Sequence, residues 1–412
     1  MKNIFIIATK FCLALFLVGC SKNSGVIKVG VLHSQSGSMA TAEGPVLAAT
    51  LHAIEVINQQ GGILGKTIVP IIKDGRSDEQ YFAKMARELI EKEQVSVIFG
   101  CWTSSSRKAV KEVIEEHDHL LLYPLQYEGL EQSKNIFYLG MSANQQILPA
   151  VSWMIKQRGP KFYVVGSDYV FPKVALEIIK DALKAYGGVL TGFSFMPLGS
   201  KDVSQAINDI KTLKPDVILN LINGDTNLIF FNLLREAGIT PDIIPTMSFS
   251  LTEEDVRLLG YESMLGDYTT WSYFQAIDTK ENEQFLSAIK PLLNPQLKVF
   301  DPMESAYNGV MLWHQAVKAA NTWQASAVTK ALRGQSIASP SGLVYLDPHT
   351  QHAWRIIRIA QINKIGDFKI LWSSGMPIEP VPFIPTRPKK EWLKLLEQLY
   401  KGWGGHWSQT SK

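Results

Sequence analysis

The sequence predicts an α/β protein built as two successive units, each a parallel sheet covered by helices. Three features predict it. Short apolar runs alternate with helical stretches, the runs are apolar on both faces, and the alternation starts afresh near residue 160. At 412 residues the chain is too long for one ordinary core and comfortable for two.

In the first unit, strands are expected at 26–32, 66–72, 95–99 and 120–123, the last closed by Pro124. Helices are expected at 48–58, 80–92 and 105–116. The first of these carries a stripe of Ala48, Leu51, Ala53, Ile54 and Ile57 and stops at Gly61-Gly62. In the second unit, strands are expected at 162–166, 189–195, 217–221 and 243–245. Helices at 174–186, 203–213 and 228–237 lie between them, and Gly187-Gly188 and Gly238 end the first and the last. The two units share a rhythm but no clear sequence repeat. Beyond Trp271 the order changes, with helices at 305–320 and 325–332 and strands at 344–345, 353–362 and 369–372. Prolines at 377, 380, 382, 385 and 388 predict a segment running extended over the surface.

Composition narrows the function. Apolar residues make up 46% and charged residues 19%, as in a packed globular protein. A net charge of +3 is small for this length and makes no case for nucleic acid as a partner. There is no Gly-x-Ser-x-Gly elbow, phosphate-cradling glycine loop, His-Glu-x-x-His or Cys-x-x-Cys, so no positive case for an enzyme or a cofactor arises. His117 and His119 flank Asp118, and His349 and His352 lie three apart. A metal site needs three or four convergent ligands, so none is expected at either pair.

The N-terminus carries Lys2 and Lys10, then the apolar run 11–18 and Gly19-Cys20. About ten apolar residues are too few to span a bilayer as a helix, which needs roughly 20. The segment 1–19 therefore reads as a signal peptide. Leu17-Val18-Gly19-Cys20 resembles the lipobox of bacterial lipoproteins, which implies thioether lipidation of Cys20 and a short tether over 20–25. Cys12 leaves with the signal, so the mature domain has only Cys101 and no internal disulfide. Cys101 reads as a buried small residue.

Five turns follow strands, where ligands bind in open α/β sheets. The first, 100–108, reads Gly-Cys-Trp-Thr-Ser-Ser-Ser-Arg-Lys. Its hydroxyls and helix-start N–H groups suit a carbonyl oxygen or an anion. Capping by Ser104 or Ser105 would explain one serine, not Trp102 ahead of the whole run. The others are 122–129 with Tyr123, Gln126, Tyr127 and Glu128; 166–172 with Tyr169 and Phe171; 221–226 with Asn223, Gly224 and Asp225; and 245–250 with Ser248. Aromatics with a few amides and hydroxyls, drawn from both units, describe a small-molecule cleft.

The segments 100–108, 123–129 (Tyr-Pro-Leu-Gln-Tyr-Glu-Gly), 166–169 (Gly-Ser-Asp-Tyr) and 301–307 (Asp-Pro-Met-Glu-Ser-Ala-Tyr) resemble the urea and short-chain-amide branch of the type I periplasmic binding proteins. The wider family includes the branched-chain amino-acid binding proteins, and the resemblance covers about 26–390. It implies two Rossmann-like lobes joined by three crossovers, one holding 26–143 and 275–348, the other 144–274 and 349–390, with a tail at 391–412. Ligand would sit between them and be enclosed by hinge closure. The pocket residues it implies are Trp102, Ser104, Tyr123, Gln126 and Tyr127 on one side. On the other they are Tyr169, Phe171, Asn223, Gly224 and Ser248, with Tyr273 following a crossover.

The resemblance implies an exported, lipid-anchored solute-binding protein that delivers its ligand to the permease subunits and cytoplasmic ATPases of an ABC importer. Amino-acid binders of the family keep an acid for the ligand's ammonium group on the turn that here reads Met247-Ser248-Phe249. A zwitterion would lack that partner, a penalty of several kcal/mol in a dry cleft. Trp102 and Gln126 replace residues of the cytoplasmic amide sensors and favour urea over acetamide. The alternatives are a branched-chain amino-acid or other small-ligand binder, a sensor that relays occupancy to a regulator, and an amide hydrolase using Cys101 or a serine.

Overall fold

The computed structural model describes residues 25–409 except Ile365; Cys20 and the expected signal peptide lie outside them. The first sheet is wholly parallel. It consists of β1 (Val26–His33), β2 (Thr67–Asp74), β3 (Ile98–Gly100), β4 (Leu121–Tyr123) and β5 (Ile136–Tyr138), in the order β2-β1-β3-β4-β5. Helices α1 (Ala40–Gln59), α2 (Glu79–Glu91) and α3 (Ser104–Glu116) connect its strands. α4 (Ala143–Gln157) then leads into the second sheet.

The second sheet begins with β6 (Lys161–Ser167), β7 (Val189–Met196), β8 (Val217–Leu221), β9 (Thr246–Ser248) and β10 (Tyr268–Trp271), all parallel. Helices α5 (Val170–Tyr186), α6 (Ser204–Leu213), α7 (Thr226–Glu236) and α8 (Glu253–Leu259) lie between them. After β10 the chain returns to the first lobe. There α9 (Lys280–Ile289), α10 (Asp301–Ala320) and α11 (Ala325–Leu332) precede a three-stranded antiparallel sheet of β11 (Ser336–Ser339), β12 (Gly342–Leu346) and β13 (Ala353–Trp354). A third crossing brings β14 (Arg358–Ile362) and β15 (Phe368–Ser373) to the edge of the second sheet, in the order β15-β14-β10-β9-β8-β6-β7. The final helix is α12 (Lys389–Gly402). The architecture is thus two Rossmann-like lobes and three crossovers.

Burial on both faces explains the apolar strands. On the first sheet Val29, Val31 and Phe99 pack with Val310, Trp313 and Val328 of α10 and α11, and Phe99 meets Trp313 edge to face at 5.8 Å. On the second, Val164 and Leu219 pack with Val174, Ile178 and Trp392.

Three expectations are corrected. The strand expected at 243–245 is a turn, because the Ile243 and Ile244 N–H groups both donate to the Thr240 carbonyl and Pro245 has no N–H for a ladder. The strand is Thr246–Ser248 instead. The run expected at 353–362 divides into β13 and β14 in different sheets, with Arg355 in the joint. The proline-rich segment is not confined to the surface, since Ile384 is buried and the Pro382 carbonyl accepts from Leu130 N–H.

Backbone geometry is tightest where β3 ends. Gly100 has φ +151°, and a Cβ there would lie 2.0 Å from the Leu32 carbonyl oxygen. Gly61 has φ +101° but open space around it. Gly100→Ala is expected to cost about 3 kcal/mol or more and Gly61→Ala about 1–2 kcal/mol. Urea denaturation of the two variants checks the difference; equal costs would mean that the close approach at Gly100 is unimportant.

Candidate functional site

The loop after β3 turns sharply through Gly100 and Cys101, which has φ +66°. Thr103, not Ser104 or Ser105, is the N-cap of α3, its Oγ1 accepting from Ser106 N–H at 3.1 Å. Ser104 is thereby free to face Glu128. Its hydroxyl donates to Glu128 Oε2 and accepts from Arg107 Nη1 at 3.0 Å. A hydroxyl has one proton, so in this conformation the Ser104 proton is engaged. Cys101 is fully buried, and burial pushes its thiol well up from its usual value, which disfavours a reactive thiolate.

Behind Ser104 lies a buried network of two cations and two anions. Arg107 donates from Nε to Glu131 (2.9 Å) and from Nη2 to Glu128 (3.2 Å). Lys108 donates to Glu131 (2.9 Å) and lies 3.8 Å from Glu128. Burial alone would raise the Glu131 carboxyl; Arg107 and Lys108 reverse this and hold it far below the usual range. The guanidinium also stacks on Tyr127 (4.4 Å) and Tyr123 (4.9 Å). Tyr123 donates its hydroxyl proton to the Trp102 carbonyl (2.7 Å). Tyr127 pairs with His352 and stacks on Tyr138 at 5.1 Å. Burial lowers His352 to about 4, so it is neutral near pH 7.

The second lobe contributes the ends of β6, β8 and β9. Tyr169 and Phe171 are buried at the start of α5, with ring centres 6.2 Å apart. Burial pushes the Tyr169 phenol well up, with Tyr123 and Glu128 of the other lobe close enough to add to the effect. Asn223 N–H donates to Ser167 Oγ (3.0 Å), and Ser248 Oγ accepts from Asn220 (3.2 Å). Gly224, at φ +69°, lies so near the first lobe that a Cβ would sit 2.9 Å from the Ser38 carbonyl oxygen.

Gln126 joins the two halves. Its Nε2 donates to the Phe249 carbonyl (3.1 Å), an acceptor that fixes which end of the amide faces it. Gln126 Oε1 is buried and has no partner. A buried acceptor left unpaired costs about 1–3 kcal/mol, so a donor from a guest would relieve it.

A pocket between the lobes brings Trp102 together with Gly224, beside Thr41, Asp225, Asp255 and Phe300. Its volume of ≈ 20 Å³ is near that of a single water. A larger hollow of ≈ 550 Å³, lined by Arg158, Asp216 and Pro245, lies at the amino ends of β6, β8 and β9, away from the ends where open sheets bind ligands. Of the other expected residues, Ser104, Tyr123 and Tyr127 belong to the buried network, Ser248 to the sheet ladder, and Tyr273 to the second crossover. The Tyr273 hydroxyl donates to Asn282 (2.8 Å) and its N–H to Asp301 (2.7 Å).

The crossovers hold residues that pattern reading did not assign. Arg355 on the third crossover donates to Ser272 on the second (2.9 Å) and to Glu304 of α10 (2.8 Å). Asp301 accepts from Ser272 N–H as well as Tyr273 N–H. The 301–307 segment is therefore a joint between crossovers. Nothing in the sequence near Arg355 marks it as the partner.

Three comparisons place this geometry. Residues 27–389 match the family model described as periplasmic binding protein domain. A Leu/Ile/Val-binding protein homolog 6 of Brucella melitensis is 25% identical over 89% of this chain and 94% of its own length. An ABC-transporter solute-binding protein of R. palustris, solved in complex with 4-hydroxybenzoate, superposes with TM-score 0.81 at 23% identity, covering 87% of this chain and all of that one. A leucine-binding protein of Thermotoga maritima gives TM-score 0.75 at 18% identity, covering 84% and 98%.

Beside the joint, Glu253 accepts from Gln275 N–H (2.9 Å) through one oxygen, while the other is buried without a partner. Burial pushes its carboxyl up to about 8 and Asp301 up to about 6. A carboxyl raised in the folded state favours folding when protonated, so its contribution is present at low pH and lost as pH climbs to about 8. Glu253→Gln is expected to flatten the fall in stability between pH 5 and pH 8, by on the order of a few kcal/mol at the upper end, and with it the fall in melting temperature. Parallel slopes in calorimetric melts of the two proteins would refute the assignment.

Proposed function

The chain belongs to the periplasmic binding protein family, and on that premise we propose that it is the solute-binding component of an ABC importer that captures urea or a short-chain amide between its lobes. The observation that carries the reading is the charge balance of the first-lobe wall. Arg107 and Lys108 are matched by Glu128 and Glu131, leaving neither a cation for a carboxylate guest nor an anion for an ammonium. A neutral guest needs only dipoles. Gln126 Oε1 offers an unmet acceptor for an N–H, and Tyr169 is buried on the opposite lobe. Trp102 and Phe171 supply apolar walls. The relatives named for leucine and 4-hydroxybenzoate share the fold; the proposal is that this chain fits a different guest to it.

A second reading rests on Asp225, an exposed acid at the rim of the pocket that holds Trp102. Of the other acids lining it, Asp255 is engaged by Thr252 in a helix cap and Glu254 is paired with Arg257, which leaves Asp225 as the carboxylate available to an amino acid's ammonium group. On either reading the segment 1–19 directs export as a signal peptide, with lipidation at Cys20 as the anchor. Among the described residues no helix is long and apolar enough to cross a membrane.

A ceiling of about −1.5 kcal/mol per heavy atom gives roughly −6 kcal/mol for the four atoms of urea, a dissociation constant on the order of tens of micromolar. Titration calorimetry with urea, acetamide, formamide, leucine and 4-hydroxybenzoate is expected to give heat with urea. Gln126→Met is expected to weaken that binding about tenfold. A preference for leucine that Asp225→Asn abolishes would establish the second reading in place of the first.

A further inference from the structure

The C-terminal segment crosses from one lobe to the other. Its anchor is on the second lobe, where α12 packs against α5. Trp392 is buried and donates its indole N–H to the Ile384 carbonyl (2.9 Å), and Arg387 binds Asp181 (2.8 Å) and Glu177 (3.0 Å) of α5. After α12, Gly404 and Gly405 take φ +68° and +90°, a backbone open to glycine that turns the chain back. Residues 406–409 then run beside the start of α5. The Trp407 carbonyl accepts from Val170 N–H (3.0 Å), Gln409 N–H donates to the Asp168 carbonyl (3.0 Å), and Ser408 pairs with Tyr169.

Three of these residues, 406–408, also hold Glu79 of α2, on the first lobe. Trp407 N–H donates to Glu79 Oε1 (3.0 Å), Ser408 Oγ donates to Oε2 (3.3 Å), and His406 Nδ1 lies 3.1 Å from Oε1. Glu79 does not cap its own helix, since Asp78 does so by accepting from Tyr81 N–H (2.7 Å). Among the described residues, every hydrogen-bond partner of the Glu79 carboxylate comes from residues 406–408. Burial raises that carboxyl, with the Trp407 N–H opposing, so its ionised form depends on the tail. Lys108 of the first lobe also lies 4.7 Å from the Trp407 ring.

We propose that residues 406–409 form a strap that fastens the two lobes in the closed state, tying Glu79 of one to the amino end of α5 in the other. The lobes cannot part without breaking one of the two sets of bonds. The strap lies directly over Tyr169, so it also controls how readily that part of the cleft is exposed. The inference rests on the two-lobed fold and not on the identity of the guest.

The test is made without ligand. Small-angle scattering and hydrogen exchange are measured on the full chain, on a chain ending at Gly405, and on Glu79→Ala and the near-isosteric Glu79→Gln. The expected result is an increase in radius of gyration in the truncated chain and Glu79→Ala, a smaller one in Glu79→Gln, and exchange about tenfold faster at Trp407, whose N–H loses its acceptor, in Glu79→Ala. Folding is checked by far-ultraviolet dichroism, and Glu79→Gln serves should the alanine variant unfold. Unchanged scattering in all the variants would overturn the strap, as would faster exchange at Trp407 with no change in radius, since the tail would then detach from Glu79 without the lobes opening.

Discussion

The arrangement of the first-lobe wall depends on one side chain, Arg107. It is fully buried, and its guanidinium meets Glu128, Glu131, Ser104 and two tyrosine rings at once. A guanidinium can do this because its donors form a planar fork and its faces stack on aromatics; a lysine offers neither. Removing it would leave two buried carboxylates facing one lysine, with the large penalty of uncompensated charge. Ser104, Tyr123 and Tyr127 thus take their positions from a residue that does not line the inter-lobe pocket.

The same logic governs the joints. A hinge must keep its crossovers in register while the lobes move. Arg355 does this by binding the neighbouring crossover at Ser272 and the first lobe at Glu304. Asp301 completes the joint by receiving two backbone N–H groups from the second crossover. These bonds fix the crossovers to one another and to α10 at defined points.

Much of this was legible in sequence, for identifiable reasons. Parallel strands buried on both faces leave continuous apolar runs, so β3, β6 and β8 were readable as strands, and the loops after β3 and β8 pointed to where Trp102 and Gly224 meet. Orientation was not legible. The Tyr127 hydroxyl is engaged by His352, 225 positions away, and residue type alone does not predict that pairing. The 243–245 run failed as a strand because periodicity ignores Pro241 just before it and Pro245 at its end. α12 was overlooked although Trp392, Leu395, Leu396 and Leu399 have helical spacing; the prolines before it masked the signal.

Closure has an energetic consequence when the guest is as small as the one proposed. Four heavy atoms supply at most roughly −6 kcal/mol, which must cover the ordering of the cleft as well as affinity. A strap that adds to the closed state lowers the share the ligand has to supply. It also raises the population of a closed form that ligand cannot enter. The two demands are met only if the strap's hold on Glu79 is modest, and the geometry is consistent with that. His406 remains about a third exposed, so its contact with Glu79 is screened by water, and the tail's bonds to α5 are backbone bonds to the lobe that already carries it. The fastening is thus concentrated in one carboxylate, which can be released without unfolding either lobe.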